Sequence, residues 1–218
     1  MKNKYLTAFI IFILLIILLI INIFKRSGIR NYVENESMPD IFPDYTSTVI
    51  PPNIAPLNFT VEETGRKYYV SIYSDNNKKI NILSKSQKIV IPKRKWKKLL
   101  NDNSGKSVFI DVYIKNPGIK WEKYKTIENI VAPEEIDSYV AFRLINPAYM
   151  LWEKMGIYQR NVENYSMKPV LLNLPTENNC MNCHTFCSNN PDKMLLHLRS
   201  SPSGTILYNN GTLQMLNT

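Results

Sequence analysis

The chain has 218 residues, of which 44% are hydrophobic and 11% are aromatic. These values exclude an intrinsically disordered chain and allow one sizeable domain, or two small ones, with a buried core. The formal net charge of +9 favours an anionic partner such as a membrane surface, an acidic glycan or an acidic protein, and leaves nucleic acid as a partner only for a cytosolic chain.

The first predicted element is an apolar segment from Tyr5 to Phe24, which reads "YLTAFIIFILLIILLIINIF" and carries no charge. A helix of about 20 apolar residues is long enough to cross the hydrocarbon core of a bilayer. A cleaved signal peptide, the alternative, has an apolar region of about 7–15 residues followed by small residues at the cleavage site. Here the run is longer and continues into "KRSG". Residues 1–24 are therefore predicted to form an uncleaved, single-pass transmembrane anchor.

Residues 25–56 are predicted to be an extended tether that holds the next domain away from the membrane. They are polar, contain the proline-marked stretch "MPDIFPDYTSTVIPPNIAP" and show no long apolar periodicity. Basic residues flank the anchor in nearly equal number on its two sides, so the positive-inside rule does not decide its orientation. The orientation has to be inferred from the chemistry of the cysteine-containing segment.

Residues 57–146 show the alternation of half-buried β-strands. The segments "KYYVSIYSD" and "SVFIDVYIK" are the clearest, and "KINILSK", "KIVIP" and "YVAFRLI" are three further candidates. One face of the two clearest strands is apolar, with Tyr68, Val70, Ile72, Val108, Ile110, Val112 and Ile114. Turn sequences such as "NDNSGK" separate several of the runs. The pattern predicts a small antiparallel β-sandwich that resembles an immunoglobulin-like module.

The hexapeptide "KRKWKK" (Lys93–Lys98) surrounds Trp96 with basic side chains. One interpretation is a patch that meets phosphate headgroups or an acidic glycan. The sequence favours a second one, a short solvated helix that buries Trp96, Leu99 and Leu100. Because no nucleophile elbow, phosphate-binding glycine loop or metalloprotease helix occurs in the chain, we expect an electron carrier or accessory protein rather than an enzyme by itself.

Residues 147–218 contain all three cysteines and both histidines, within "ENNCMNCHTFCSNNPDKMLLHLRS". Cys180, Cys183 and His184 form a C-x-x-C-H motif. In such motifs the two thiols bond to the vinyl groups of haem and the histidine supplies an axial nitrogen to the iron. The motif predicts one covalent haem c per chain. Bacterial haem attachment of this type takes place outside the cytoplasmic membrane, so we expect the C-terminal domain in the periplasm.

Three alternatives to haem remain open for these residues. A zinc site would use Cys180, Cys183, Cys187 and His197, although the C-x2-C-x3-C-x9-H spacing is unusual. A redox pair of Cys180 and Cys183 would need a βαβ context, which the preceding sequence does not supply. The third alternative is a structural disulfide with one thiol left over.

Met194 and His197 are the candidates for the sixth iron ligand. In "NNPDKMLLHLR", Asn190 suits a helix N-cap and Pro191 the first helical position, so the sequence predicts a short helix. On a helix Met194 and His197 are three residues apart and share a face. Either side chain would then approach the iron opposite His184. With neither bound, the iron would be five-coordinate or bind water.

Four separated blocks, "IPPNIAPLNF", "LWEKMGIYQRN", "CMNCHTF" and "NNPDKMLLHLR", resemble the N-terminal half of a Bacteroidetes-type family of membrane-anchored proteins. These proteins carry one C-x-x-C-H motif followed by a TolB-like β-propeller. The resemblance covers nearly the whole chain after the tether and implies thioether bonds at Cys180 and Cys183 with His184 as proximal ligand. Cys187 departs from that pattern as a third thiol. The final "GTILYNNGTLQMLNT" stands where propeller blades are expected to begin, so it is read as the start of a truncated propeller.

The sequence therefore predicts a mainly β protein with an N-terminal transmembrane helix, a sandwich module and a short helical or loop segment around C-x-x-C-H. The expected function is that of a c-type-cytochrome-like protein in electron transfer, or of a haem-bearing accessory subunit. Its expected partners are the cytoplasmic membrane and redox or polysaccharide-handling proteins of the envelope, without nucleic acid. The alternative function is a non-catalytic envelope module that binds a glycan or a protein, with a structural disulfide or zinc at the cysteines.

Overall fold

The computed structural model describes residues 12–13, 16, 29, 31–75, 79–145, 155–173, 180–199 and 203–216. The predicted anchor over residues 1–24 lies outside these ranges except for Phe12, Ile13 and Ile16, which are helical. Within the described ranges, no helix combines the length and the apolar character that a membrane crossing needs.

The described residues form mainly β structure, as the alternating sequence predicts. The strands are β1 (Tyr32–Glu34), β2 (Ile41–Phe42), β3 (Val49–Ile50), β4 (Phe59–Val61), β5 (Lys67–Tyr73), β6 (Ile80–Ser84), β7 (Lys88–Ile89), β8 (Ser107–Lys115), β9 (Trp121–Lys123), β10 (Ile127–Val131), β11 (Tyr139–Leu144), β12 (Gly156–Asn161), β13 (Met167–Leu172), β14 (Met181–Phe186), β15 (Lys193–Leu198), β16 (Gly204–Asn209) and β17 (Thr212–Leu216). Helix α1 spans Lys93–Asn101, and a 3₁₀ turn spans Cys187–Asn189.

The largest sheet, here called the first sheet, has seven strands and is built on the antiparallel pair of β5 and β8. The pairing runs from Lys67 opposite Lys115 to Tyr73 opposite Phe109. β6 extends the sheet beyond β5, while β9 and β10 both pair with β8 on its other side. β1 joins β9 and β3 joins β10, both in parallel. The first sheet is therefore mixed.

One face of the first sheet is buried under helix α1 and a three-stranded sheet of β2, β4 and β7. The residues of this core are Ile41, Ile50, Phe59, Val61, Tyr68, Val70, Ile72, Ile80, Ile89, Ile91, Trp96, Leu99, Leu100, Val108, Ile110, Val112, Ile114, Ile127 and Val131. They include Trp96, Leu99 and Leu100 of α1, which confirms the predicted packing of that helix. The indole Nε1 of Trp96 donates a hydrogen bond of 3.2 Å to the carbonyl of Ile54.

Two predictions about this domain need correction. β1, β2 and β3 lie within the predicted tether, and Ile41 and Ile50 are buried, so residues 32–50 belong to the folded domain. Strands of two or three residues are too short to show the period-2 pattern on which the prediction depended. The packing of two sheets agrees with a sandwich in general terms. The immunoglobulin-like topology is not confirmed, because two strand pairs are parallel and a helix covers part of the core.

From Tyr139 onward the strands form two further sheets. β11, predicted as a strand of the sandwich, instead pairs with β12 in a three-stranded antiparallel sheet that β13 completes. The strands β14, β15, β16 and β17 follow one another in a four-stranded antiparallel meander, here called the C-terminal sheet. The two sheets share a small core of Met155, Ile157, Met181, Leu196 and Leu198.

The predicted helical or loop structure around C-x-x-C-H is wrong, because the segment forms strands β14 and β15. The residues that suggested a helix start form the turn between them, where the side chain of Asn190 accepts a hydrogen bond of 2.9 Å from the backbone N–H of Asp192. Asparagine, proline and aspartate favour such turns as strongly as they favour helix starts. The pairing of β15 with strands on both sides decides between the two.

Candidate functional site

The C-x-x-C-H residues lie at the start of the C-terminal sheet. Cys180 directly precedes β14, and the pairing of β14 with β15 shifts register between Met181 and Cys183. After this irregularity Cys183 lies opposite His197, and His184 lies opposite Leu196. The strand pairing thus brings one cysteine of the motif next to the histidine at the far end of the cluster.

Cys183 and His184 lie on opposite faces of the C-terminal sheet, because neighbouring side chains of a strand alternate. Cys183 is exposed. His184 is half-buried on the face that carries Leu196, and its ring contacts Phe186 edge-on with centroids 6.2 Å apart. One haem cannot bond to Cys183 and receive an axial nitrogen from His184 while β14 keeps this conformation. The residues as folded here do not fit the haem, and attachment would require residues 180–184 to leave the strand.

The candidates for the sixth ligand are separated in the same way. Met194 and His197 do not share a face, because they are three residues apart on a strand rather than on a helix. Met194 lies opposite Phe186, on the face of His184. His197 lies on the other face, beside Cys183, where its Nδ1 is 3.2 Å from the hydroxyl oxygen of Thr205. Within the C-terminal sheet, His184 and His197 therefore cannot bind one iron from its two sides.

The three thiols are free. Cys180 is half-buried and packs against the small core of Met155, Ile157, Met181, Leu196 and Leu198, whereas Cys183 and Cys187 are exposed. In the described ranges, no group of three or more histidine, cysteine or acidic side chains is arranged to hold a metal ion. The zinc alternative at Cys180, Cys183, Cys187 and His197 is thus not assembled in this conformation.

A second candidate site lies on the face of the first sheet opposite the core, here called the aromatic face. Alternation along β1, β5, β8 and β9 places six aromatic side chains there, namely Tyr32, Tyr69, Tyr73, Phe109, Tyr113 and Trp121. Ring centroids are 5.5 Å apart for Tyr69 and Tyr113, and 6.4 Å for Tyr69 and Trp121. The central rings are 8% exposed, and the outer four are half-buried. The ring contacts thus form two groups on this face, one of Tyr32, Tyr69, Tyr113 and Trp121 and one of Tyr73 with Phe109.

Lysine side chains lie over the outer rings of the aromatic face. The ammonium nitrogens are 4.7 Å from the ring centroid of Tyr73 for Lys79, and 5.9 Å from that of Trp121 for Lys115. Lys123 lies 5.9 Å from the ring centroid of Tyr32. These are distances of cation–π contacts. The face thus combines aromatic surface with positive charge at its edge.

Asp111 supplies a carboxylate in the middle of the aromatic face and is 7% exposed. It accepts a hydrogen bond of 2.7 Å from the hydroxyl of Thr126 and lies 3.6 Å from the ammonium of Lys123. Burial raises the pKa of Tyr113 above its usual value, and the negative charge of Asp111 raises it further. Burial and Asp111 also raise the pKa of Tyr69. The pKa shifts therefore mean that these phenols keep their protons to a higher pH than a solvent-exposed tyrosine does.

The aromatic face could have been found from the sequence. The alternation that assigned Tyr68, Val70 and Ile72 to the core also puts Tyr69 and Tyr73 together on the opposite face. The apolar residues of these strands predict the core face only, whereas the aromatic residues between them mark the second face. Pairing partners, which bring Trp121 and Tyr32 to the same place, were not visible in the sequence.

No protein-family model, no curated protein and no solved structure matches this chain. The resemblance to the propeller-bearing membrane proteins therefore stays a prediction, and function has to be inferred from the residues and their geometry.

Proposed function

We propose that the chain is a non-catalytic binding module of the bacterial envelope that holds an acidic glycan on the aromatic face. In this proposal residues 1–24 anchor it in the cytoplasmic membrane, and the folded domains face the periplasm. The observation that carries the proposal is the set of six aromatic side chains on this face, with lysines above three of the outer rings.

The composition of the aromatic face suits a sugar polymer. The axial C–H groups of a pyranose ring pack against aromatic faces, and tyrosine and tryptophan add a hydrogen-bonding group to that apolar surface. Tyrosine also offers large contact area at a small cost in side-chain entropy. The half-buried rings of Tyr32, Tyr73 and Trp121 retain exposed surface for such contacts.

The charge of the face favours an acidic polymer over a neutral one. Lys79 and Lys115 have no ion pair within the described ranges, while Lys123 is paired with Asp111. The net charge of the whole chain is +9, which attracts polyanions over longer distances. Carboxylate or sulfate groups of a glycan would pair with these ammonium groups and replace part of their water.

The test is calorimetric titration of the full chain in detergent with polygalacturonate, a uronic acid polymer, and with neutral dextran at equal ionic strength. We expect binding of the acidic polymer only. Trp121→Ala should weaken it about tenfold, which corresponds to about 1.4 kcal/mol and is typical for the loss of one good aromatic contact.

The matched control is Tyr139→Ala, since Tyr139 is 55% exposed on β11 and lies outside the aromatic face. This variant should bind like the wild type. Equal affinity for dextran and polygalacturonate, or an unchanged affinity of Trp121→Ala, would contradict the proposal.

As a second candidate function we propose covalent attachment of one haem c at Cys180 and Cys183, with His184 as axial ligand and a role in electron transfer. The C-x-x-C-H motif and its position after a predicted membrane segment support it. The strand conformation of β14 speaks against it, because Cys183 and His184 lie on opposite faces. It therefore requires residues 180–184 to adopt another conformation in the haem-loaded protein.

The haem proposal is tested by expression in a host that matures c-type cytochromes. A Soret band that survives denaturation and acid-acetone extraction would support it. Replacing both Cys180 and Cys183 by serine should abolish that band, whereas Cys187→Ser should retain it. If the wild type shows the covalent Soret band, the ferric spectrum of His197→Ala decides whether His197 is the sixth ligand. Loss of a histidine ligand would shift that spectrum to high spin.

A further inference from the structure

The turn between β8 and β9 presents an apolar side chain between lysines. In "KNPGIK" (Lys115–Lys120), Pro117 and Gly118 occupy the central positions of a β-turn, and Gly118 has a φ of 74°, as a type II turn requires. The backbone N–H of Ile119 closes the turn with a hydrogen bond of 3.4 Å to the carbonyl of Asn116. Ile119 is 63% exposed. The turn thus holds an isoleucine out in solvent at one end of the first sheet.

Strand pairing gathers five basic residues at the same end of the first sheet. β5 starts where β8 ends, with Lys67 opposite Lys115. β6 ends beside the start of β5, with Ser84 opposite Tyr68. The basic residues at this end are Arg66, Lys67, Lys85, Lys115 and Lys120, all of them exposed except the half-buried Lys115. Among the described residues, none of the five forms an ion pair, so their positive charge around Ile119 remains available to a partner.

Tyr32 and Trp121 add the aromatic side chains that are typical of a membrane–water interface. Both are half-buried, and Trp121 directly follows Lys120. Tryptophan and tyrosine are enriched at that interface because each combines an apolar ring with a hydrogen-bonding group. Lysine is suited to the same place, since it packs its apolar stem against lipid or aromatic surface and keeps its ammonium in water. Lys115 has its ammonium nitrogen 5.9 Å from the ring centroid of Trp121.

The chain enters the first sheet at this same end. β1 and β9 are parallel, with Tyr32 opposite Trp121, so β1 starts beside the residue that follows the turn. Tyr32 comes eight residues after Phe24, the last residue of the predicted anchor. Eight residues reach at most about 29 Å even when fully extended. An anchor over residues 1–24 therefore keeps this end of the sheet close to the bilayer surface.

We propose that this end of the first sheet rests on a bilayer that contains anionic phospholipid. Ile119 inserts among the lipid headgroups, and the basic residues around it pair with lipid phosphates. The proposal rests on the membrane anchor of the proposed function and is independent of the glycan. β5 and β8 then run away from the membrane, and the aromatic face stays accessible at the side of the domain.

The experiment places a tryptophan at the turn of the full chain, reconstituted into vesicles of phosphatidylcholine and phosphatidylglycerol. Lipids that carry bromine near the headgroup should quench the emission added by Ile119→Trp, since bromine quenches tryptophan only at short range. The matched control is Ile130→Trp, because Ile130 is 51% exposed and lies opposite Ser107, at the other end of β8. We expect loss of most of the emission added at residue 119 and none of that added at residue 130.

The contribution of charge is measured in the Ile119→Trp chain by comparing these vesicles with vesicles of phosphatidylcholine alone. Quenching should be stronger where phosphatidylglycerol is present, because basic residues are attracted to an anionic surface. Lys120→Glu should reduce that difference. Lys106→Glu, the same change of charge at an exposed residue beside the first residue of β8, should leave it unaltered. Equal quenching in both kinds of vesicle would overturn the role of anionic lipid.

Extraction with alkaline carbonate separates a failure of this proposal from a failure of the anchor on which it rests. A chain that carbonate removes from the vesicles has no membrane-spanning anchor, and that result defeats both. A chain that resists extraction but shows equal quenching at residues 119 and 130 keeps its anchor and overturns only the contact of the turn with the bilayer. Titration with polygalacturonate reports on the glycan independently of either result.

Discussion

The domain around the first sheet has a much larger buried apolar core than the C-terminal sheet. In the described residues, nineteen buried side chains form the core under the first sheet, whereas five form the core beneath the C-terminal sheet. Local opening of a segment costs less free energy where fewer apolar contacts are lost.

This difference bears directly on the two candidate sites. The aromatic face belongs to a sheet fixed by a large core, so its rings are held in place before any ligand arrives. The C-x-x-C-H residues belong to β14, an edge strand of a sheet with a small core, and β14 pairs only with β15 within that sheet. A change of conformation at residues 180–184, which haem attachment demands, is easier there than at β5 or β8, the central strands of the first sheet.

The largest expected effect comes from the core under the first sheet. Leu100→Ala should lower the free energy of unfolding of this domain by about 2–5 kcal/mol, because Leu100 is fully buried and its removal leaves a cavity. Urea unfolding followed by tryptophan fluorescence measures it. Leu83→Ala is the control, since Leu83 is 68% exposed and its loss should change stability by no more than about 0.5 kcal/mol. Equal losses of stability in Leu100→Ala and Leu83→Ala would contradict the claim that this core stabilises the domain.

A smaller effect is expected from the matching change in the C-terminal sheet. Leu196→Ala removes one of five core residues, and we expect a loss of about 2 kcal/mol, at the low end for this substitution, because a small core can collapse around the gap. Hydrogen exchange should accelerate at the amides of β14, β15 and β16 while those of β5 and β8 stay protected. Loss of protection in both regions would show that they unfold as one unit, and the two cores would then not differ in local stability.

The sequence predicts the strands that show a local alternating pattern. It does not predict the features that depend on which strands pair with one another. Residues that face the core alternate with residues of the opposite face over seven or more positions in β5 and β8. The prediction of which side chains of these strands face the core is therefore confirmed. β2 and β3 have two residues each and show no pattern. At Asn190 and Pro191 the same residue types favour a turn and a helix start, and only the partners of β15 distinguish them. The spacing of C-x-x-C-H was visible, but the placement of Cys183 opposite His197 depends on strand register.

The last expected effect distinguishes the aromatic face by its response to pH. The pKa of Tyr113 is raised above its usual value of 10.0 by burial first and by the charge of Asp111 second. As the pH rises past 10.0, the unfolded chain therefore releases this proton while the folded chain keeps it, so the stabilisation present below that pH is progressively lost. The loss is at most about 1.4 kcal/mol per pH unit for each such tyrosine.

Tyr113→Phe cannot ionise there, so its free energy of unfolding should fall less steeply between about pH 9 and 11. Urea unfolding at several pH values measures the slopes, and Tyr139→Phe, altered at an exposed residue on β11, should follow the wild type. Parallel profiles for wild type and Tyr113→Phe would mean that the phenol of Tyr113 is as well solvated in the folded chain as in the unfolded one. That result would contradict the burial of the central rings of the aromatic face.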